Sequence, residues 1–412
     1  MELLRKDVLS QPINDTVFKI AAKAKEAKLK YGNDKVVDAT IGCLADENGD
    51  LVAFKSVYKH FDEVKDADKA AYAKSFAGNK EYRDKVLSWV LQDKITDLSF
   101  SVIATPGGTG ADYLTISSFL DPGMEIMVPE IAWTSYQLMA AQNCLKVVSY
   151  PLFQHNHFAT SNFKEIATRI MHTQHKLLVI LNDPCHNPTG YSLTTEEWTD
   201  ITAFLSGLSC QGQVIILNDV AYIDYSYNLS TSRDYLRCFN YLANNVTVII
   251  AFSCSKTLTA YGFRLGAAII LNKDPEVVKT ISTVYERDAR AIWSNVNNGG
   301  MLTFPKVISD PQFLAEKQTY IELMHQRSEL FMKEAQDNNL PYYPYKEGFF
   351  ITLEVDPKNL DQYHEALMAN QIYTVKVNKG IRLAICSLPI NQISGLAKRM
   401  KEIYSKTFPQ AE

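Results

Sequence analysis

From about Leu98 to Asn272, apolar runs of strand length alternate with helical segments, and this alternation constrains the fold more than any other feature. The runs are Ser101–Thr105, Glu125–Pro129, Lys146–Tyr150, Leu177–Leu181, Gln213–Leu217, Val246–Phe252 and Gly266–Leu271. Strands apolar on both faces belong in a mostly parallel sheet covered by helices. Between them lie helices such as Thr195–Leu205, which opens with the capping box Thr194-x-x-Glu197. Beyond Asp274 one helical stretch runs through Ile292 and another from Pro311 to Asn338. Three short strands follow, at 348–353, 372–377 and 381–386. Ahead of the alternation, residues 14–30 read as a polar, lysine-rich helix and 35–42 as a short strand ending in a turn at Gly42. The fold class expected is α/β: a large domain at 45–306 around a mostly parallel seven-stranded sheet, and a smaller α+β domain at 307–412 joined by the segment 1–44.

Composition narrows the function. At 412 residues with net charge -4, 46% hydrophobic and 21% charged, the chain has a soluble globular balance and lacks the basic footprint of a nucleic-acid binder. Met1–Asp7 is too charged for a signal-peptide core and no apolar run approaches bilayer length, so the expectation is a cytoplasmic protein with no membrane partner. Seven cysteines without a C-x-x-C pair read as reduced, mostly buried side chains rather than a disulfide framework or zinc site. His155-x-His157 and His172-x-x-His175 lie in polar stretches and read as surface histidines, so no metal is expected.

The residues with chemistry stand just past the strands, where open α/β sheets place their ligands. Ser253-Cys254-Ser255-Lys256 follows the run Val246–Phe252, with Arg264 eight residues on. A lysine among small hydroxyls beside an arginine suits a Schiff base next to an anion site; a solvated surface charge is the plain alternative. Pro106-Gly107-Gly108-Thr109-Gly110-Ala111 opens a helix and suits a phosphate cradle, though a steric turn would use the same glycines. It matches neither the P-loop nor the dinucleotide fingerprint. Asn182-Asp183-Pro184-Cys185-His186-Asn187-Pro188-Thr189-Gly190 follows another buried run, and Val214–Asn218 delivers Asp219 to a strand end with Tyr222 three residues later. A carboxylate there is either paired or functional.

A pyridine aldehyde phosphate needs these parts together: a lysine for the Schiff base, an acid for the ring nitrogen, donors to the phenolate oxygen and a phosphate anchor. Lys256, Asp219, Asn187 with Tyr222, and Gly108-Thr109 with Ser253 and Arg264 fill the roles in turn. Trp133 stacks on the ring face or is an ordinary core aromatic.

The Asn-Pro-Thr-Gly string, Asp219-x-x-Tyr222 and Ser-x-x-Lys-x₇-Arg together resemble the fold-type I, class I aminotransferases that use pyridoxal 5′-phosphate, most of all the aspartate and aromatic aminotransferases. The resemblance runs from Ile41-Gly42 to Arg382. It implies that Arg382 grips the substrate α-carboxylate with Phe350 packed nearby, and that Gly42 and Asn187 border the substrate. It further implies a homodimer with shared active sites, in which Arg290, by its spacing from Ser294-Asn295, holds the distal carboxylate of a dicarboxylic substrate at the neighbour's site. Tyr72 is the candidate to reach the neighbour's phosphate, one place from where the family has its tyrosine. Gly107 stands for a usual serine, and Val296-Asn297 for paired prolines. The activity implied is ping-pong transfer of an amino group between an L-amino acid (aspartate, glutamate or aromatic) and a 2-oxo acid such as 2-oxoglutarate. A carbon–sulfur β-lyase would use the same constellation, and a ligand-sensing regulator could borrow the fold, although the segment before Val36 is short for a DNA-binding extension.

Overall fold

A computed structural model describes residues 16–409. Its centre is a seven-stranded sheet: β1 Ser99–Thr105, β2 Glu125–Pro129, β3 Lys146–Tyr150, β4 Lys176–Asn182, β5 Gln213–Asp219, β6 Val246–Ser253 and β7 Gly266–Asn272, in the order β1-β7-β6-β5-β4-β2-β3. Only β7 runs antiparallel to its neighbours. All seven expected runs are strands, each within two residues of its sequence bounds at either end.

Two-residue periodicity builds the two cores. Leu177, Val179, Leu181, Val214, Ile216, Val248 and Ile250 pack into one buried cluster, while the intervening Leu178, Ile180, Ile215, Leu217 and Ile249 pack into another. Alternate side chains of a strand point to opposite faces, so a run apolar at every position buries both.

The sheet also fixes where the loops gather. Adjacent parallel strands bring Asn182 beside Asp219, and Asp219 beside Ala251. The antiparallel β7 starts at the same edge, where Gly266 pairs with both Thr105 and Ser253. One sheet edge therefore collects the ends of β1, β4, β5 and β6 together with the residues just ahead of β7.

Three further strands, β8 Phe350–Glu354, β9 Val375–Val377 and β10 Gly380–Ala384, form an antiparallel sheet in the order β8-β10-β9. The amino-terminal segment runs alongside: Val37 and Asp38 pair in parallel with Ile372 and Tyr373, and Ala384 donates its N–H to Ala39 at 3.0 Å. Helix Thr16–Tyr31 buries Ile20, Ala24 and Ala27 against Val36 and Tyr373; positions 14 and 15 of the expected helix lie outside the described residues.

Two sequence expectations need correction here. The strand read over 35–42 is only Val37–Asp38, because the Asp38 carboxylate accepts from the Thr40 hydroxyl at 2.6 Å and turns the chain. The strand read over 372–377 is two, one pairing with that segment and the other with β10. The cysteines are all free, with four buried and Cys144 and Cys210 exposed. No helix among the described residues is long and apolar enough to cross a membrane.

Candidate active site

Gly108, Thr109, Trp133, Asn187, Asp219, Tyr222, Ser253, Lys256 and Arg264 line one cavity at the collecting edge of the sheet. A second, outer cavity shares Trp133, Asn187, Tyr222 and Lys256 with it and adds Gly42, Phe350 and Arg382. Twelve of the fourteen site residues expected from sequence thus meet in one connected space; Tyr72 and Arg290 border neither cavity.

Lys256 sits in the four-residue helix Cys254–Thr257 that directly follows β6, with its Nζ 5.3 Å from the centre of the Tyr222 ring. Burial lowers its proton affinity; Arg264 adds to the effect and Asp219 opposes it. An amine so placed offers its neutral, nucleophilic form more readily than a surface lysine does. The turn that carries it is clamped from below. The Tyr225 hydroxyl donates to the Lys256 carbonyl at 3.2 Å, and Thr257 donates to Asp224 at 2.7 Å. Asp224 is itself buried and paired with Arg233 and, at 3.4 Å, with Lys317, while Trp89 Nε1 donates to it at 3.0 Å. Burial alone would raise the Asp224 carboxyl, but the two cations hold it well below the usual carboxylate range.

Asp219 ends β5 and is 5% exposed. Its Oδ2 accepts from the Tyr136 hydroxyl and its Oδ1 from the Ala221 N–H at 3.0 Å. Burial raises its proton affinity, against these donors and Lys256. Tyr222 is also buried, which pushes its phenol up and keeps it a neutral donor. Asn187 is positioned by its own N–H, which donates to Asn182 Oδ1 at 2.7 Å.

The glycine-rich turn is built around Arg264. Gly107 has φ +75°, a conformation that residues with side chains rarely adopt, and a Cβ there would stand 2.5 Å from Arg264 Nη2. The guanidinium donates to the Ser255 hydroxyl and to the Tyr261 and Pro106 carbonyls at 3.1–3.2 Å. Helix α1, Gly108–Phe119, starts at this point, so its free N–H groups and the arginine face the same cavity.

In the outer cavity Arg382, on β10, lies 4.5 Å from the Phe350 ring centre and donates to the Thr40 carbonyl. Gly42 permits the approach of Phe350, whose Cζ would be 2.3 Å from a Cβ at that position.

Residues 34–400 match the family described as aminotransferase class I and II. The chain belongs to that family. An aromatic-amino-acid aminotransferase of Paracoccus denitrificans is 21% identical over 378 residues, covering 89% of this chain and 92% of that protein. An aspartate aminotransferase of Salmonella typhi is 27% identical over 253 residues, 59% of this chain and 61% of that one. Among solved structures, an aminotransferase from Anaerococcus prevotii superposes with a TM-score of 0.94 at 29% identity, covering 98% of this chain and 99% of the other. An aromatic-amino-acid aminotransferase from Burkholderia pseudomallei, covalently bound to pyridoxal phosphate, shares the fold at a TM-score of 0.79 and 18% identity, with 98% and 100% covered.

Pyridoxal 5′-phosphate is the cofactor this membership implies, and the aminotransferase's inner cavity fits it. A lysine of lowered proton affinity, a buried carboxylate, a phenol that stays neutral and a glycine-bounded helix start with an arginine converge there. Tyr72 is 82% exposed. Arg290 is exposed too: it donates to the Ser294 hydroxyl and lies over the Phe76 ring at 5.1 Å. After Asn295, where the family has prolines, Asn297 caps helix Asn298–Val307 by accepting from the Gly300 N–H at 2.9 Å. Sequence reasoning missed Tyr136 and Asp112, which line the inner cavity, and the Asp224 cluster beneath it. A tyrosine three residues after Trp133 and an acid in the otherwise uncharged start of α1 were the available signals.

Proposed function

We propose that this aminotransferase moves the amino group between an L-amino acid (aspartate, glutamate or aromatic) and a 2-oxo acid such as 2-oxoglutarate, by a ping-pong cycle. The observation that carries the reading is the convergence of Lys256, Asp219 and the α1 start on one cavity that opens toward Arg382. When bound, pyridoxal phosphate supplies an aldehyde that takes up amines and a protonated ring that draws electrons from the substrate α-carbon. Lys256 would hold the cofactor through its amine, and the same amine, once free, would move a proton at the substrate α-carbon. Asp219, with the Tyr136 hydroxyl donating to it, holds a proton at the ring nitrogen. Tyr222 and Asn187 would donate to the phenolate oxygen, and Trp133 would cover a ring face. Gly108, Thr109, Ser253 and Arg264 bind the phosphate. Arg382 binds the α-carboxylate through two parallel N–H donors, with Phe350 against its guanidinium and Gly42 leaving space beside it. Incubating the protein with single amino acids and each of 2-oxoglutarate, pyruvate and oxaloacetate tests this: paired new amino and 2-oxo acids are expected, and pyruvate with ammonia from cystathionine, without an oxo acid, would mark a lyase instead.

Arg290 and Tyr72 act, in this reading, at the site of a second copy of the chain, which supports a homodimer. Their exposure in the single chain leaves both open to such a contact. Arg290→Ala is then expected to lower kcat/KM for aspartate and glutamate by about two to three decades, the effect of truncating one partner of a desolvated charge pair worth roughly 2–5 kcal/mol. Aromatic donors should be almost unaffected. Equal loss for both classes would remove Arg290 from substrate selection.

A further inference from the structure

One face of the small sheet touches both loops that carry the donors for the phenolate oxygen. Thr352 on β8 pairs with Arg382 on β10, and residues directly opposite in an antiparallel pair share a face, as do Phe350 and Thr352, two apart on one strand. From that face Arg382 enters the outer cavity, and Phe350 meets the Tyr222 ring edge-on with centres 5.6 Å apart. Thr352 reaches the other loop: its hydroxyl donates to the Pro188 carbonyl at 2.6 Å, one residue past Asn187. Both ends of this bond are buried.

The chain around Asn187 depends on that contact. Proline has no N–H, so its carbonyl is the one backbone group by which residue 188 can be held. On the other side, the Asn187 N–H donates to Asn182 Oδ1 at 2.7 Å. Further along, the Gly190 carbonyl accepts from the Lys346 and Glu347 N–H groups at 2.8 and 2.9 Å. The Glu347 carboxylate accepts from the Ser192 and Ser226 hydroxyls at 2.6 and 2.7 Å. These contacts keep the loop on the small domain with or without the Thr352 hydroxyl, so losing that hydroxyl frees the Asn187 end alone.

We propose that Thr352 is a positioning residue: its bond to the Pro188 carbonyl sets Asn187 against the cofactor's phenolate oxygen, from the same strand pair that presents Arg382 to the substrate. The inference rests on the reading of the inner cavity as a pyridoxal phosphate site. No spacing in the sequence points to it, since the two residues stand 164 positions apart. A buried carbonyl that loses its donor shifts toward another, and Asn187 moves with it. A phenolate oxygen with a weaker donor keeps more of its charge and holds a proton on the Lys256 nitrogen beside it more tightly.

The colour of the full chain loaded with pyridoxal phosphate, followed against pH, reads that proton without turnover. Thr352→Val keeps the shape and removes the donor, and should raise the midpoint of the colour change by about 0.5–1 pH unit. Thr352→Ser restores the donor and should return the midpoint to its wild-type value. Thr352→Cys, a weak donor of similar size, should shift it the same way by less, and stands in should the valine variant not fold. Glu347→Gln weakens the same domain contact away from residue 188 and should leave the midpoint in place. No shift on losing the hydroxyl, a shift that serine does not reverse, or an equal shift in Glu347→Gln overturns the proposal. If wild-type protein takes up no pyridoxal phosphate, the functional reading falls instead. Hydrogen exchange of the peptide 186–192 in the cofactor-free chain then decides: faster exchange in Thr352→Val supports the link, and unchanged exchange overturns it.

Discussion

Replacing Lys256 with alanine should lower turnover by about 10⁴-fold while the protein still folds and still binds cofactor weakly. The size follows from the two tasks assigned to one amine: it holds the aldehyde and it moves the α-carbon proton. No other lysine among the described residues lines the inner cavity to take over either task. Folding should survive because the side chain points into the cavity and the turn is held through its backbone, by Tyr225 on the Lys256 carbonyl and Thr257 on Asp224. The remaining anchors, Gly108, Thr109, Ser253 and Arg264 at one end and Asp219 at the other, should keep part of the cofactor affinity. Single-turnover rates and cofactor content of the variant check both halves. Turnover within tenfold of wild type would mean that another group moves the proton.

The second large effect should come from below the site. Asp224→Ala is expected to cost about 3–5 kcal/mol of stability, the usual result of leaving buried charge without its partner. Arg233 and Lys317 are both sealed in the interior, and Asp224 is the acceptor they share. Burial already lowers Lys317 to about 8 with the carboxylate present. Without it Lys317 would shed its proton, but Arg233 cannot. Thr257 would also lose its acceptor, so the Lys256 turn should loosen and activity should fall in the protein that remains folded. Denaturant unfolding at fixed protein concentration reads the first effect and cofactor retention the second. A loss under about 1 kcal/mol would show the cluster to be relaxed or hydrated, and the clamp on Lys256 unimportant.

Much of this arrangement was legible before any coordinates. The strands were readable because burial on both faces leaves unbroken runs such as Val246–Phe252, which few other structures require. The residues past those runs were readable because Lys256, Asp219 and Asn187 are polar where the chain leaves its core, a costly placement without a purpose. Tyr136 and Asp112 were missed for the opposite reason: each sits inside a helix of mixed small and apolar residues, and only tertiary packing turns them toward Asp219. The Asp224 cluster was invisible because its members come from positions 89, 224, 233, 257 and 317, too far apart for any spacing rule. Short pairings such as Val37 with Ile372 depend on a partner more than three hundred residues away, so local pattern overestimated that strand.

Borohydride reduction of the purified full chain with pyridoxal phosphate, followed by peptide mapping, tests the central claim most directly. The label is expected on the peptide that carries Lys256, with loss of the protein's yellow colour on reduction. A label on a different lysine, or a colourless protein that takes up none, would contradict it.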